Sequence, residues 1–288
     1  MPSMLLRRLL VLALITFTSL PLHAENKPRL VWMIRDLPPF NILQGPLKND
    51  GIADNMLRLL QAKLPQYQHV ISVANQARAK QMLGSGMLIC DTGLLKSPER
   101  EKIMYFSIIT LGLQTNGVMI RRQQEQELAP FIDNGQFDLP AFIAADRYTL
   151  GTLVGRSYGP VIDAELKQLK ADKLVVHYGI EASRSLLRMQ QHDRLTAVLG
   201  YAPELRYNGE LEKMDLEQLS FYPIKGVPPY QMGYVGCSKT PEGLEAIERI
   251  NMAIRQLRKG EIVQLYANWL DKRSRAAYLE AAKGFFSD

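Results

Sequence analysis

The chain has 288 residues, with 35 Lys and Arg against 29 Asp and Glu, for a formal charge of +6 and a hydrophobic content of 47%. That content is ordinary for a globular protein, and the cations are scattered with no basic tract interleaved with aromatics, which argues against nucleic acid as a partner. Four histidines and two cysteines in no metal-like spacing give no support for a zinc or iron site, and no cofactor is expected.

The first 24 residues read as a secretory leader. Arg7 and Arg8 precede a short apolar run, residues 9–22, and Ala24 offers a small residue for cleavage. Pro21 and the short run disfavour a membrane anchor, and no cysteine follows the cleavage point to carry lipid. Removal of the leader lowers the charge to +4 and leaves 264 residues, enough for one large domain or two lobes. An exported protein could pair Cys90 with Cys237, and two buried thiols fit the sequence equally well.

Beyond the leader, residues 29–34 predict a strand that Pro38-Pro39 ends. Ligands gather at strand ends in α/β sheets, which makes Arg35 and Asp36 cleft candidates. Apolar residues at 52, 56, 57, 59, 60 and 64 have helical period, and Pro65 closes the helix. A strand over 69–73, a helix over 74–83 and a strand over 87–91 follow. This is β-α-β-α-β, the pattern of a parallel sheet covered by helices.

The stretch Thr92 to Ser107 then carries the most local information. Ser97 is a good N-cap, Pro98 suits the first helical position, and Glu99 suits the positive end of the helix dipole. Arg100 sits one turn in, where a fixed guanidinium could grip a carboxylate. Read alone, the same residues make an ordinary connecting turn with a solvated arginine.

A further strand centres on residues 117–120, and the polar run 121–127 marks a boundary. A second α/β pattern begins with a strand over 148–154. The turn Gly155-Arg156-Ser157-Tyr158-Gly159-Pro160 opens a helix over 161–169, where free N–H groups, Ser157 and Arg156 could hold an anion. Strand 174–177, helix 181–190 and strand 195–199 follow, with Tyr201 at the strand end. Strands over 219–224 and 231–237 lead to a long helix over 242–258, which Gly260 interrupts before a last helix over 262–270.

In this order the chain resembles the family 3 periplasmic solute-binding proteins of ABC importers, the amino-acid-binding type. Pro38-Pro39-Phe40 is similar to the family's YPPF. Asp50-Gly51 and its helix resemble DGxxxGFDxDLA. QMLGSGMLICDTG resembles ALxxGxxDxxxxG, and SPEREKIMYFS looks like TPERxxxxxFS. Residues 150–159 resemble the second-lobe strand with its GTT turn, residues 188–200 resemble LxxGrxDAxxxD, and IRQLRKGEIVQLYANWL resembles the terminal helix pair.

The resemblance implies a two-lobed type II fold with parallel-type sheets, helices on both faces and a ligand cleft between the lobes. Lobe one would hold residues 25–121 and 228–288, and lobe two residues 122–227. It implies a non-enzymatic, monomeric periplasmic protein that captures a small carboxylate-bearing solute. Its partner would be the membrane permease of an ABC importer or a sensor receptor. A dehydratase-like enzyme on the same fold is the remaining alternative.

Carried over by position, Arg100 matches the family arginine that grips the ligand carboxylate, and Gly93 offers a backbone N–H. Arg156 and Ser157 occupy the GTT turn, and Phe40 supplies a ring wall. The family's hydroxyl is here Leu95, its first-helix acid is Asn55, and its pre-PPF aromatic is Leu37. Its ammonium-binding aspartate falls near Tyr201, which leaves Asp36 or Glu204 as substitutes. A ligand ammonium buried without a carboxylate costs several kcal/mol. The expected ligand is therefore an anionic or amino-acid-like molecule.

Overall fold

The computed structural model describes residues 27–74, 76–83, 85–178 and 181–286; the expected leader, residues 1–24, lies outside them. In chain order come β1 (Arg29–Ile34), α1 (Ile52–Lys63), β2 (Gln68–Val73), α2 (Gln76–Leu83), β3 (Ile89–Leu94), α3 (Pro98–Glu101), β4 (Met104–Phe106) and β5 (Leu111–Gln114). Then follow β6 (Gly117–Arg121), α4 (Glu125–Leu128), β7 (Ile132–Asp133), β8 (Gln136–Phe137), α5 (Leu139–Ala144), β9 (Leu150–Leu153), α6 (Pro160–Leu166), β10 (Leu174–His177), α7 (Ala182–Gln191), β11 (Ala197–Gly200), α8 (Ala202–Leu211) and β12 (Leu219–Pro223). The chain closes with β13 (Tyr230–Ser238), α9 (Pro241–Leu257), α10 (Val263–Ala267) and α11 (Lys272–Ala282).

Two mixed sheets organise these elements. The first runs β2-β1-β3-β13-β4, with β5 also on β13; the second runs β10-β9-β11-β6-β12. Each has a parallel core, β2-β1-β3 and β10-β9-β11, flanked by antiparallel partners. The expected parallel character thus holds only for the core of each sheet, because β13 and β6 enter from the opposite direction. β6 pairs with β11 and β12. The strand 117–121, expected in the first lobe, therefore belongs to the second sheet, and the crossing falls before it rather than after it. The polar run that suggested a boundary is instead a helical turn and α4 on the far side of β6.

The chain crosses between the sheets twice, around Thr115-Asn116 and around residues 224–229. The crossings are tied together: Thr115 donates its N–H to the Pro229 carbonyl at 3.1 Å and its hydroxyl to the Pro228 carbonyl at 2.8 Å. The last helix is α11, beyond the expected end at residue 270. Asp271 caps it, accepting from the N–H groups of Arg273 and Ser274 at 2.9 and 3.0 Å. Its Tyr278 packs 4.8 Å, ring to ring, from Tyr266 of α10, and Phe285 beyond the helix lies 5.0 Å from Tyr230 of β13. Gly260 does not break the preceding helix; a π-helical turn over Arg258–Ile262 carries α9 into α10.

α1 shows how local sequence sets the first lobe. Ile52, Met56, Leu57 and Leu60 are buried on one face, each such side chain contributing ~1.5–3 kcal/mol when fully removed from water. At its start the Ile52 and Ala53 N–H groups donate to the Pro39 and Phe40 carbonyls, both at 2.8 Å. The turn around the cis Pro38-Pro39 peptide thus satisfies amides a helix start would otherwise leave open. Only glycine fits at 51, since a Cβ there would stand 2.3 Å from the Phe40 oxygen. Cys90 of β3 and Cys237 of β13 are register partners and form a buried disulfide, which resolves the alternatives left open by the sequence.

Candidate functional site

β1 and β3 lie side by side, with Trp32 opposite Cys90. Arg35 follows the end of β1 and Asp91 follows Cys90 on β3, so register alone brings the two charges together. Arg35 Nη2 lies 3.3 Å from Asp91 Oδ2. Asp91 Oδ1 accepts the Gly93 N–H at 2.9 Å, while Oδ2 has no hydrogen-bond partner among the described residues. Both side chains line a cavity of about 150 Å³ at the junction of the two sheets. A cavity of that size elsewhere holds a molecule about as large as benzene. Phe40, Met56, Leu111 and Leu113 make its walls apolar, and Gln114, Gln231 and Tyr201 add polar groups. Tyr201, from the end of β11, closes it from the second lobe, its hydroxyl 3.5 Å from Gln231 Nε2.

Four expected residues meet at this cavity: Arg35, Phe40, Gly93 and Tyr201. The others are engaged elsewhere. Arg100 donates Nη1 to the Leu95 carbonyl at 2.6 Å, behind the cavity wall, close enough for its charge to favour ionised Asp91. Its helix start is built as read, with the Ser97 hydroxyl accepting from the Arg100 N–H at 3.4 Å. Asp36 accepts the Leu43 N–H at 3.2 Å and pins an exposed loop.

Arg156 meets Glu204 in a two-pronged pair, Nη1 to Oε1 at 2.8 Å and Nη2 to Oε2 at 2.7 Å. Ser183 adds a hydroxyl to Glu204 at 3.1 Å. The Arg156 guanidinium lies 5.1 Å from the Tyr201 ring centre and 5.3 Å from that of Tyr158. Arg156 thus holds the cavity's tyrosine instead of reaching the cavity, and Glu204 is saturated.

Ser157 was read as part of an anion site at the start of α6. The chain's own Asp163 occupies that place, taking the Ser157 hydroxyl and, at 2.8 Å, the Tyr158 N–H. The Ser157 hydroxyl and the Tyr158 amide hold the Asp163 carboxyl below its ordinary range. Asn55 bonds back to the carbonyls of Asp50 and Gly51. Trp32 is fully buried and donates to His69 Nδ1 at 3.0 Å, so it is core and not a ligand wall.

Sequence reading offered Arg35 as a cleft candidate at a strand end and missed its partner Asp91. The available signal was an acid inside the apolar run 87–95. Burial pushes the Asp91 carboxyl above its ordinary range, against the opposing charge of Arg35 and the Gly93 amide. A carboxyl raised by folding adds stability below its unfolded value and loses that contribution as pH climbs through the folded value. Above that folded value the ionised Asp91 therefore costs stability. Asp91→Asn is expected to melt roughly 2–4 °C higher at a pH above the folded value, on the order of 1 kcal/mol. The difference should vanish below about pH 4, where both forms are neutral. A pH-independent difference in calorimetric melting would refute the assignment.

Comparisons place this geometry among known folds. No family model matches the sequence, and no curated protein matches it. Solved structures do. Substrate-binding domain 2 of Lactococcus lactis GlnP, in its open conformation, aligns at TM-score 0.60 and 16% identity over 85% of this chain and 95% of that one. The fold is that of the amino-acid substrate-binding proteins of ABC transporters. The ancestral cationic amino acid solute binding protein AncCDT-1 aligns as well, at TM-score 0.62 and 13% identity, covering 86% of this chain and 97% of that one. The VFT2 domain of Bordetella pertussis BvgS, as a double mutant, aligns at TM-score 0.54 and 18% identity, with 84% and 93% covered. Among the described residues, no helix is long and apolar enough to cross a membrane.

Proposed function

We propose that this chain is an exported binding protein that captures a small amino-acid-like or carboxylate solute between its lobes and delivers it to the permease of an ABC importer. The lobes would meet at the crossings near 115–116 and 224–229, with residues 117–223 as the second lobe. The observation that carries the reading is the junction cavity, where a charged pair from the first lobe sits among apolar walls under Tyr201 from the second. Binding needs no more than such positioned groups.

Of the expected contacts, Arg35, Phe40, Gly93 and Tyr201 fit this role, with Asp91 added. Arg100 acts through its charge behind Leu95, and Arg156 acts through Tyr201. A thermal-shift screen over amino acids and organic acids tests the reading. A ligand at one hundred times its Kd adds about 2.7 kcal/mol of stability, and at least one compound should raise the melting point by several degrees. No shift for any amino acid or organic acid would overturn the proposal. The BvgS likeness keeps a sensor reading in view; capture of the ligand-loaded chain by a reconstituted permease would decide for transport.

A further inference from the structure

The turn between α10 and α11, Trp269 to Arg273, is anchored on the first sheet and closes on the second. Its base is rigid. The Tyr266 hydroxyl of α10 accepts the Gln114 N–H at 3.0 Å. Phe285 lies so close to β5 that a Cβ on Gly112 would stand 2.5 Å from its ring. Arg275 of α11 reaches back to the end of α10, donating to the carbonyls of Ala267, Asn268 and Leu270 at 2.9, 3.1 and 3.3 Å.

From this base three side chains reach elements of the second sheet. Trp269 lies 5.9 Å, ring to ring, from the buried Tyr207 of α8. Asp271 lines a small crevice with Met119, Arg206 and Phe221. Arg273 places its guanidinium 5.3 Å from the Tyr222 ring centre and donates to the Tyr222 hydroxyl at 3.4 Å. That hydroxyl in turn donates to Glu125 at 2.7 Å. Burial alone would raise the Glu125 carboxyl, but hydrogen bonds from Ser220 and Tyr222, with the charges of Arg122 and Arg273, hold it below its ordinary range. Phe221 and Tyr222 are neighbours on β12 whose side chains join different buried clusters, on opposite faces of the sheet. The turn therefore grips β12, an edge strand, from both faces.

Building on the reading of two lobes that take a solute between them, we infer that Trp269 and Arg273 form a strap that holds the lobes together before any solute arrives. The contacts join the chain's own side chains, an aromatic pair and a cation over a ring, and need no solute to form. The strap also reaches the cavity through α8. That helix starts directly after Tyr201, which covers the cavity, and carries Tyr207, which meets Trp269. Fixing one part of a short helix fixes the rest, so Tyr201 is held in place over an assembled site. The two crossings set the path of the chain, and the strap sets the angle between the lobes. Its Arg273 half lies past residue 270, where the resemblance to the solute-binding family ends.

The test places spin labels at Lys63→Cys and Lys167→Cys, one exposed position on each lobe. The two native cysteines are joined to each other and take no label. Pulsed electron paramagnetic resonance then reads the distance between the lobes in the full chain, dialysed and with no solute added. The chain with Trp269 and Arg273 intact should give one narrow distance. Trp269→Ala combined with Arg273→Ala should add a longer one, raising the ratio of separated to closed lobes at least about tenfold. Trp269→Phe, which keeps a ring against Tyr207, should keep the narrow distance, as should Lys272→Ala at the exposed position beside Arg273. Circular dichroism melting shows that each variant is folded. Arg273 is itself exposed, so Arg273→Ala alone carries the test if the double variant does not fold, with a rise of at least about threefold. Two distances in the chain with both strap residues intact, or an unchanged distribution in the folded strap variants, would overturn the strap. Equal widening in Lys272→Ala would overturn it too. All of these outcomes leave solute capture standing, and the screen above reports on that separately.

Discussion

Replacing Cys90 and Cys237 together by alanine is expected to cost about 4 kcal/mol, since removing a native disulfide typically costs ~2–5 kcal/mol. The two residues are separated by 147 positions. Closing a loop of that order restricts the unfolded chain strongly, and the entropy grows only slowly with further length. For a chain of this size each kcal/mol moves the melting temperature by about 2–4 °C, so the double variant should melt roughly 10 °C lower. The link sits where it has most to hold. β3 belongs to the part of the first sheet laid down before the chain enters the second, and β13 is the strand that returns. Every strand of the second sheet lies in the loop so closed. Cys90 also precedes Asp91, so a looser β3–β13 register should weaken ligand binding along with stability. A double variant melting within about 2 °C of the wild type would show that packing around β13 holds the lobe unaided. The bond itself suits an oxidising compartment, as the exported reading requires.

Much of the fold was legible because its signals are local. The limits of β1 and β10 follow apolar runs bounded by breakers, and the Ser97-Pro98 cap forms as its chemistry dictates. α8 was not legible. Its sequence, APELRYNGEL, carries Pro203 near its start and Asn208-Gly209 near its end, both turn signals. Gly209 is there for packing, since a Cβ would come 2.7 Å from the Leu216 side chain. α11 has a short buried face, Ser274, Tyr278 and Ala282, too sparse for a period to declare itself. The crossing before β6 was misplaced because composition changes after that strand, whereas pairing changes before it.

The site was only half legible for a different reason. Phe40, Gly93 and Tyr201 occupy positions that strand ends and the family pattern both point to. Asp91 acquires its meaning from Arg35, 56 positions earlier, and no run of neighbouring residues records that approach. Arg156 and Ser157 sit in a turn with the right composition for an anion site. Two carboxylates of the chain itself, Glu204 and Asp163, already fill it. Sequence shows which donors a turn offers, and only the fold shows whether a neighbour has used them.

Arg156→Ala is accordingly expected to act first on stability. The pair is mostly buried, with side chains 21% and 17% exposed. Breaking a fully buried pair costs ~3–5 kcal/mol, because the remaining charge is left uncompensated. With a fifth of each side chain in water the loss should be about 2–3 kcal/mol, for Arg156→Ala and for Glu204→Ala alike. The double alanine variant should lose little more than either single one, giving a coupling energy of about 1–3 kcal/mol in a double-mutant cycle. Strict additivity would show that the two side chains contribute independently. Binding supplies the second readout. A direct ligand contact at Arg156 would make Arg156→Ala abolish binding while Glu204→Ala leaves it intact. If Arg156 instead acts by holding the Tyr201 ring, both variants should weaken binding to a similar degree. Tyr201→Phe, which keeps the ring and removes the hydroxyl near Gln231, should keep most of the affinity. The cavity roof would then owe its position to a salt bridge that no ligand touches.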